Sequence, residues 1–131
     1  MKDPVWVRRS TIDAIHDVQL AEHGGAAGIR DSGLLDSALA RPLNLHAHGE
    51  NDRCALAASY AFGIVRNHPF IDGNKRTAFL AAYVFPRLNG RDLIADEVAA
   101  TTTMLSLAAG TITEADYAEW LRANTTAVRK K

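Results

Sequence analysis

Only four prolines interrupt the 131 residues, and each stands near a boundary or kink between alanine-rich, helix-favouring stretches. A chain punctuated so rarely reads as mostly helix. Ser10-Thr11-Ile12-Asp13 resembles a capping box with Asp in place of Glu, and predicts a first helix starting after Ser10. Ile12, Ile15 and Val18 would form its apolar stripe, and His23-Gly24-Gly25 ends it, with Gly28 holding the next stretch in a loop. Asp31 caps a short second helix carrying Leu34, Leu35, Ala38 and Leu39, which Pro42 is expected to end, and residues 43–51 read as loop. Asp52 caps a long third helix through Ala57, Tyr60, Ala61 and Ile64. It stops near Asn67, because Pro69 disfavours helix in the residue before it.

The next helix runs from about Asn74 to Asn89 with Gly90 as its C-cap. Its Ala78, Ala81 and Ala82 permit close approach of a neighbour, and Pro86 predicts a kink or a weakened last turn. Asp92-Leu93-Ile94 reads as short and extended. Asp96 opens a helix through Met104 and Leu107 that ends near Gly110. Thr113-Glu114-Ala115-Asp116, a second capping-box variant, opens a last helix with Tyr117, Trp120 and Leu121. Val5-Trp6-Val7 is either a short strand or an anchored arm. The tail, residues 123–131, is expected to fray, with Lys130-Lys131 as a solubilising end.

The length suits one domain, since domains cluster near ~100–150 residues. A chain 47% hydrophobic and 23% charged can bury a core. Its formal net charge is zero, which argues against a nucleic-acid coat and gives no support to binding an acidic membrane surface. The single Cys54 has no internal disulfide partner and fits a reducing cytoplasm. No run approaches the ~20 apolar residues of a membrane span, and Met1-Lys2-Asp3-Pro4 lacks a signal-peptide core. The zero is a sum of blocks. Residues 1–65 carry net −2, residues 66–91 net +4, residues 92–121 net −6 and residues 122–131 net +4.

The positive block holds the segment that carries chemistry, His68-Pro69-Phe70-Ile71-Asp72-Gly73-Asn74-Lys75-Arg76-Thr77, between two predicted helices. The first N–H groups of a helix are unpaired and the helix dipole adds partial positive charge, so such a loop makes an anion site. Gly73 permits a positive φ and lets a ligand approach the backbone. Lys75 and Arg76 oppose the dipole at a cost of ~0.3–1 kcal/mol each, a placement that makes sense with an anion between them. A phosphate chain is the obvious candidate. Asp72 is placed to hold Mg²⁺ together with phosphate oxygens, and His68 is the candidate general base. Any of these residues alone is ordinary; the case rests on the set. His46 and His48 have the spacing of a metal pair but no third ligand, and read as surface residues.

The segment His68-Pro69-Phe70-x-Asp72-Gly73-Asn74-Lys75-Arg76-Thr77-Ala78 resembles the signature of the Fic/Doc superfamily, and in particular its Doc (death-on-curing) toxin branch. The general Fic pattern is His-Pro-Phe-x-Asp/Glu-Gly-Asn-Gly-Arg-x-x-Arg. Lys75 stands at its second Gly and Phe79 where its last Arg would be, and both departures point to Doc. Gly28-Ile29-Arg30-Asp31-x-Gly33-Leu34-Leu35-x-Ser37-Ala38-x-x-Arg41-Pro42 is similar to the upstream Doc segment. Leu88-Asn89-Gly90, Ala108-Ala109-Gly110 and Trp120-Leu121 fit the downstream pattern, so the resemblance covers about residues 6–122.

The resemblance implies an all-α, single compact helical bundle of the Fic fold over residues 1–131, with room for one short β-strand pair. It implies ATP with Mg²⁺. His68 would be the general base and Asp72 the Mg²⁺ carboxylate that also orients it. Gly73 and Asn74 would shape the anion hole, and Lys75 and Arg76 would stabilise the transferring phosphoryl group. In Doc the Lys fills the space that Gly leaves in AMP-transferring relatives, so ATP presents its γ-phosphate and the product is a phosphorylated protein. The implied target is a threonine of elongation factor Tu, whose modification stops translation and growth. Arg30 and Asp31 would border the target groove. A Phd-type antitoxin is the implied partner, its C-terminal segment folding into an apolar groove, with nucleic acid reached only through that antitoxin. No inhibitory Ser/Thr-x-x-x-Glu-Gly/Asn pattern occurs, which favours inhibition in trans. The competing readings are a Fic-type AMP transferase and a non-catalytic Fic-fold module that binds an antitoxin.

Overall fold

Residues 3–128 are described by a computed structural model of six helices and one short strand pair, the first strand of which packs on α4. The helices are α1 (Arg9–His23), α2 (Ser32–Ala47), α3 (Arg53–Asn67), α4 (Asn74–Leu88), α5 (Glu97–Ala109) and α6 (Glu114–Asn124). The strands are β1 (Arg91–Leu93) and β2 (Thr125–Ala127). The mostly-α fold class is as expected. Among the described residues no helix is long and apolar enough to cross a membrane.

Helix α3 is the axis. Every residue from Cys54 to Ala61 is buried, so α3 has no solvent face over two turns. Its small side chains allow close packing of α2, α4 and α6 around it. At Gly63 a Cβ would lie 3.1 Å from the Cα of Ala38 on α2. Tyr60, Phe85, Leu56, Leu107 and Leu121 fill the core, each contributing ~1.5–3 kcal/mol by the apolar area it removes from water.

The caps at Asp31, Asp52 and Asp96 form as read: each carboxylate accepts an N–H from Leu34, Cys54 or Ala99 respectively. Thr113 and Asp116 make the reciprocal capping box, and their hydrogen bonds hold the Asp116 carboxyl below its ordinary pKa. The N-terminal residues form an anchored arm. Val5 N–H donates to Asn89 Oδ1 at 2.8 Å, and Val7 N–H donates to the Tyr60 hydroxyl at 3.0 Å.

Five expectations fail. Helix α1 begins at Arg9 with Arg8 in the cap position, and Ser10 lies inside it rather than capping it. Tertiary contacts pin this start instead: Arg9 donates to Asp36 Oδ1 (2.5 Å) and Ser32 Oγ (3.1 Å). The buried face of α1 is Ile12, His16 and Gln19, while Val18 is exposed. Helix α2 does not stop at Pro42 but continues to Ala47. An interior proline costs about 3 kcal/mol or more, and the burial of Leu35, Ala38 and Pro42 opposes that cost. Within this last turn His48 Nδ1 lies 2.7 Å from Asn44 O, and His46 Nδ1 lies 2.9 Å from Glu50 O. Both rings serve the helix end, and no cluster of metal ligands is found among the described residues.

The tail is the fourth correction. Helix α6 runs to Asn124, and β2 pairs antiparallel with β1, placing Leu93 opposite Thr125. Thr125 is buried, and Arg91 donates to its Oγ1 (2.9 Å) and its carbonyl (3.0 Å). These bonds order a segment whose composition reads as a frayed end. Residues 129–131, with Lys130-Lys131, lie outside the described residues. Helix α4 continues through Pro86 to Leu88, and its C-cap is Asn89 rather than Gly90: the Asn89 N–H donates to Pro86 O at 2.9 Å, and Gly90 follows at φ 87°.

Candidate active site

The end of α3 forces a sharp reversal. His68 takes the left-handed conformation (φ 50°, ψ 54°), and among the described residues it is the only non-glycine with positive φ. That costs an L-residue ~1–2 kcal/mol, so neighbours must hold it. Arg30 does so with two charge-assisted bonds: Nε donates to His68 O (2.6 Å) and NH2 to Asn67 O (2.7 Å). Asn67 Nδ2 donates to Leu34 O at 2.9 Å. Residues 28–31 lie along the loop, with Ile71 N–H donating to Gly28 O and Arg30 N–H to Pro69 O. Arg30 is thus a clamp behind His68, and Asp31 is the α2 cap.

Asn74 folds the loop onto α4. It is buried, its Oδ1 accepts from Phe70 N–H (3.0 Å) and its Nδ2 donates to Phe70 O (2.9 Å). Its side chain is therefore spent on loop shape. His16 stacks on the Phe70 ring with centroids 3.9 Å apart, and its Nε2 lies 2.8 Å from the Asp72 carbonyl. Asp72 Oδ1 accepts from Gly73 N–H (2.9 Å) and Oδ2 from Ala26 N–H (3.4 Å). The carboxylate thus holds loop backbone rather than the His68 imidazole. Gly25 makes room for it: a Cβ there would lie 2.8 Å from Asp72 Oδ2.

Gly73 has φ 80°, as its loop position requires. The space its missing side chain leaves is not open to a ligand, because a Cβ would fall 1.9 Å from Gln19 Nε2. The first bond of α4 is Thr77 N–H to Gly73 O at 3.0 Å, so the amides of Asn74, Lys75 and Arg76 stand ahead of the helical ladder.

All six residues singled out in the sequence converge. His68, Asp72, Gly73, Asn74, Lys75 and Arg76 line one recess of about 280 Å³, joined by Gln19 and Gly24. Arg76 NH1 lies 3.0 Å from His23 Nε2. Lys75 has no hydrogen-bond or ion-pair partner among the described residues. The other cations of the positive block are used elsewhere: Arg87 pairs with Asp92, Arg91 binds Thr125, and Arg66 lies over the Phe62 ring. The recess is a helix N-terminus with two cations and one exposed carboxylate, a setting for an anion. A second hollow of about 260 Å³ adjoins it, lined by Phe79, Ala100, Thr101, Met104 and Leu105 with Lys75, Arg76 and Glu97.

The sequence model of the Fic/DOC family matches residues 6–86, a span containing every residue of the recess. The chain belongs to the Fic/DOC family. Two relatives place it in the Doc branch. It is 33% identical over 110 residues to "Protein kinase doc" of Escherichia phage P1, covering 83% of this chain and 86% of that protein. It is 45% identical over 76 residues to "Toxin Doc" of Mycolicibacterium smegmatis, covering 56% of this chain and 58% of that one.

In this Doc-branch chain, the residues that depart from the general Fic pattern sit in distinct places. Lys75 faces the recess, whereas Phe79, one turn on, lines only the apolar hollow. His16, Gln19 and Gly25 support the Doc loop without having been singled out for it in the sequence, and Arg30, singled out there for the target groove, also supports it as a clamp. A signal existed for two of them: His16 and Gln19 follow Ile12 at helical spacing, a polar pair on a face that begins apolar.

Proposed function

We propose that this protein is a Doc-type toxin that transfers the γ-phosphoryl group of ATP to a protein hydroxyl. The observation that carries the reading is Lys75, unpartnered at the mouth of a recess built around the α4 N-terminus, with His68 on its rim. The His68 imidazole takes the proton of the target hydroxyl; the oxygen then bonds to the γ-phosphorus and ADP leaves. The amides of Asn74 to Arg76 and the side chains of Lys75 and Arg76 stabilise the charge on the transferring group, where most of the rate gain in phosphoryl transfer arises. Asp72 fits a Mg²⁺ that arrives with the phosphates: its carboxylate is exposed and each oxygen holds a single amide. Bound there, the ion would neutralise phosphate charge. Arg30 keeps the base in its strained position.

The proposed target is a threonine of elongation factor Tu, and the proposed restraint is a Phd-type antitoxin. The apolar hollow between α4 and α5 suits the apolar side of such a segment, and Lys75 and Arg76 at its edge suit acidic residues. Elongation factor Tu is incubated with the protein and ATP labelled at the α or the γ position. Label from γ alone supports the kinase; label from α replaces it with AMP transfer; no label from either favours a binding module or another target. His68→Ala is expected to abolish growth arrest while keeping antitoxin binding, and an arrest that persists removes His68 as the base.

A further inference from the structure

We propose that Gln19 is an anion-binding residue of the recess, its carboxamide donating an N–H to an oxygen of the anion seated at the α4 N-terminus. Gln19 is 3% exposed, yet its Nε2 has no hydrogen-bond partner among the described residues. A buried donor left unpaired demands an explanation. The other polar residue on the same face of α1 needs none, since His16 Nε2 meets the Asp72 carbonyl at 2.8 Å. Arg41 Nε, Ser59 Oγ, Thr77 Oγ1 and Tyr117 Oη are also buried without a partner among the described residues, but of these five groups Gln19 alone lines the recess.

Its position says what it lacks. The Gln19 amide lies against Gly73, the cap residue of α4, in the space a Cβ would occupy, and Gln19 lines the recess with Lys75 and Arg76. The surroundings are rich in donors: the leading amides of α4, the Lys75 ammonium and the Arg76 guanidinium. The only carboxylate of the recess already accepts from Gly73 and Ala26. A phosphate oxygen supplies the missing acceptor. A neutral donor also adds a contact without a third buried cation. Calling the anion a nucleotide phosphate rests on the function proposed above; the donor role of Gln19 does not.

The test uses inorganic phosphate and ATP as separate probes, titrated calorimetrically into the wild-type protein, Gln19→Leu and Gln19→Glu. Gln19→Leu keeps the bulk and removes the donor, and is expected to weaken both probes about tenfold, with Gln19→Glu weaker still through added repulsion. Thermal melting checks the fold; a merely structural Gln19 would move the melting temperature and leave both affinities unchanged, which overturns the proposal. In the wild-type protein the Gln19 side-chain NH₂ resonances are expected to shift on adding phosphate, and unmoved resonances also overturn it. Phosphate bound through Gln19 without ATP binding upholds Gln19 and defeats the kinase. ATP binding unaffected in Gln19→Leu does the reverse, and a wild-type protein that binds neither probe defeats both.

Discussion

Replacing Gly73 with alanine would place a methyl carbon 1.9 Å from Gln19 Nε2 and 2.8 Å from its Cδ, at a residue whose φ is +80°. Two penalties follow. The left-handed backbone costs an L-residue ~1–2 kcal/mol that glycine avoids. Overpacking against a buried carboxamide adds ~1–3 kcal/mol, because Gln19 must leave its rotamer or α1 must shift. Gly73→Ala should therefore cost ~2–5 kcal/mol, a large share of the ~5–15 kcal/mol typical of a domain. The two penalties separate in a double-mutant cycle. Gln19→Ala removes the steric partner and leaves the backbone penalty, so in that background the same substitution should cost only ~1–2 kcal/mol. Urea denaturation followed by circular dichroism on the four proteins measures the coupling, provided their m-values agree. The reasoning would be falsified if Gly73→Ala cost the same in both backgrounds, since the void beside Gly73 would then not belong to Gln19.

Asn74→Leu strips partners from the buried Phe70 N–H and C=O, at ~1–3 kcal/mol for each group, and should lower urea stability even in the absence of ligand. Truncation after Asn124 removes β2 and both Arg91–Thr125 bonds, so it should lower the melting temperature by several degrees, whereas removing a frayed tail would not. Burial pushes the Tyr60 hydroxyl up to about 12 from 10.0 and raises that of Tyr117 as well. The unfolded chain therefore ionises first: stability is intact below pH ~10 and falls as pH rises from there towards ~12, and Tyr60→Phe should flatten the fall in an alkaline stability titration. Arg30→Lys keeps the charge but loses the fork that reaches two carbonyls, and should reduce turnover by about tenfold or more and lower the melting temperature by a few degrees, as the strained His68 loses its clamp.

The caps at Asp31, Asp52, Asp96 and Thr113 were legible because each is settled within two or three residues of chain, by a side-chain oxygen and a nearby amide. The loop from His68 to Arg76 was legible for the same reason, and its Asn74–Phe70 bonds span four residues. Pro42 misled because local rules count the lost hydrogen bond but not the α3 surface that rewards continuing the helix. The tail misled because its polar residues become ordered only when a distant strand meets them.

What the residues alone determined, then, was the order and ends of most helices and the chemistry gathered at one helix start. Those features depend on short-range hydrogen bonds and on charge, both readable along the chain. Tertiary structure decided what stands behind that chemistry. His16 reaches Asp72 across 56 positions and Arg30 reaches His68 across 38, and Gln19 fills the space that Gly73 leaves. No local propensity encodes these meetings; they exist because burying α1 and α2 against the core brings their polar residues to the loop. The same packing separates Lys75 and Arg76, which face the recess, from Arg87 and Arg91, which are neutralised or bound elsewhere.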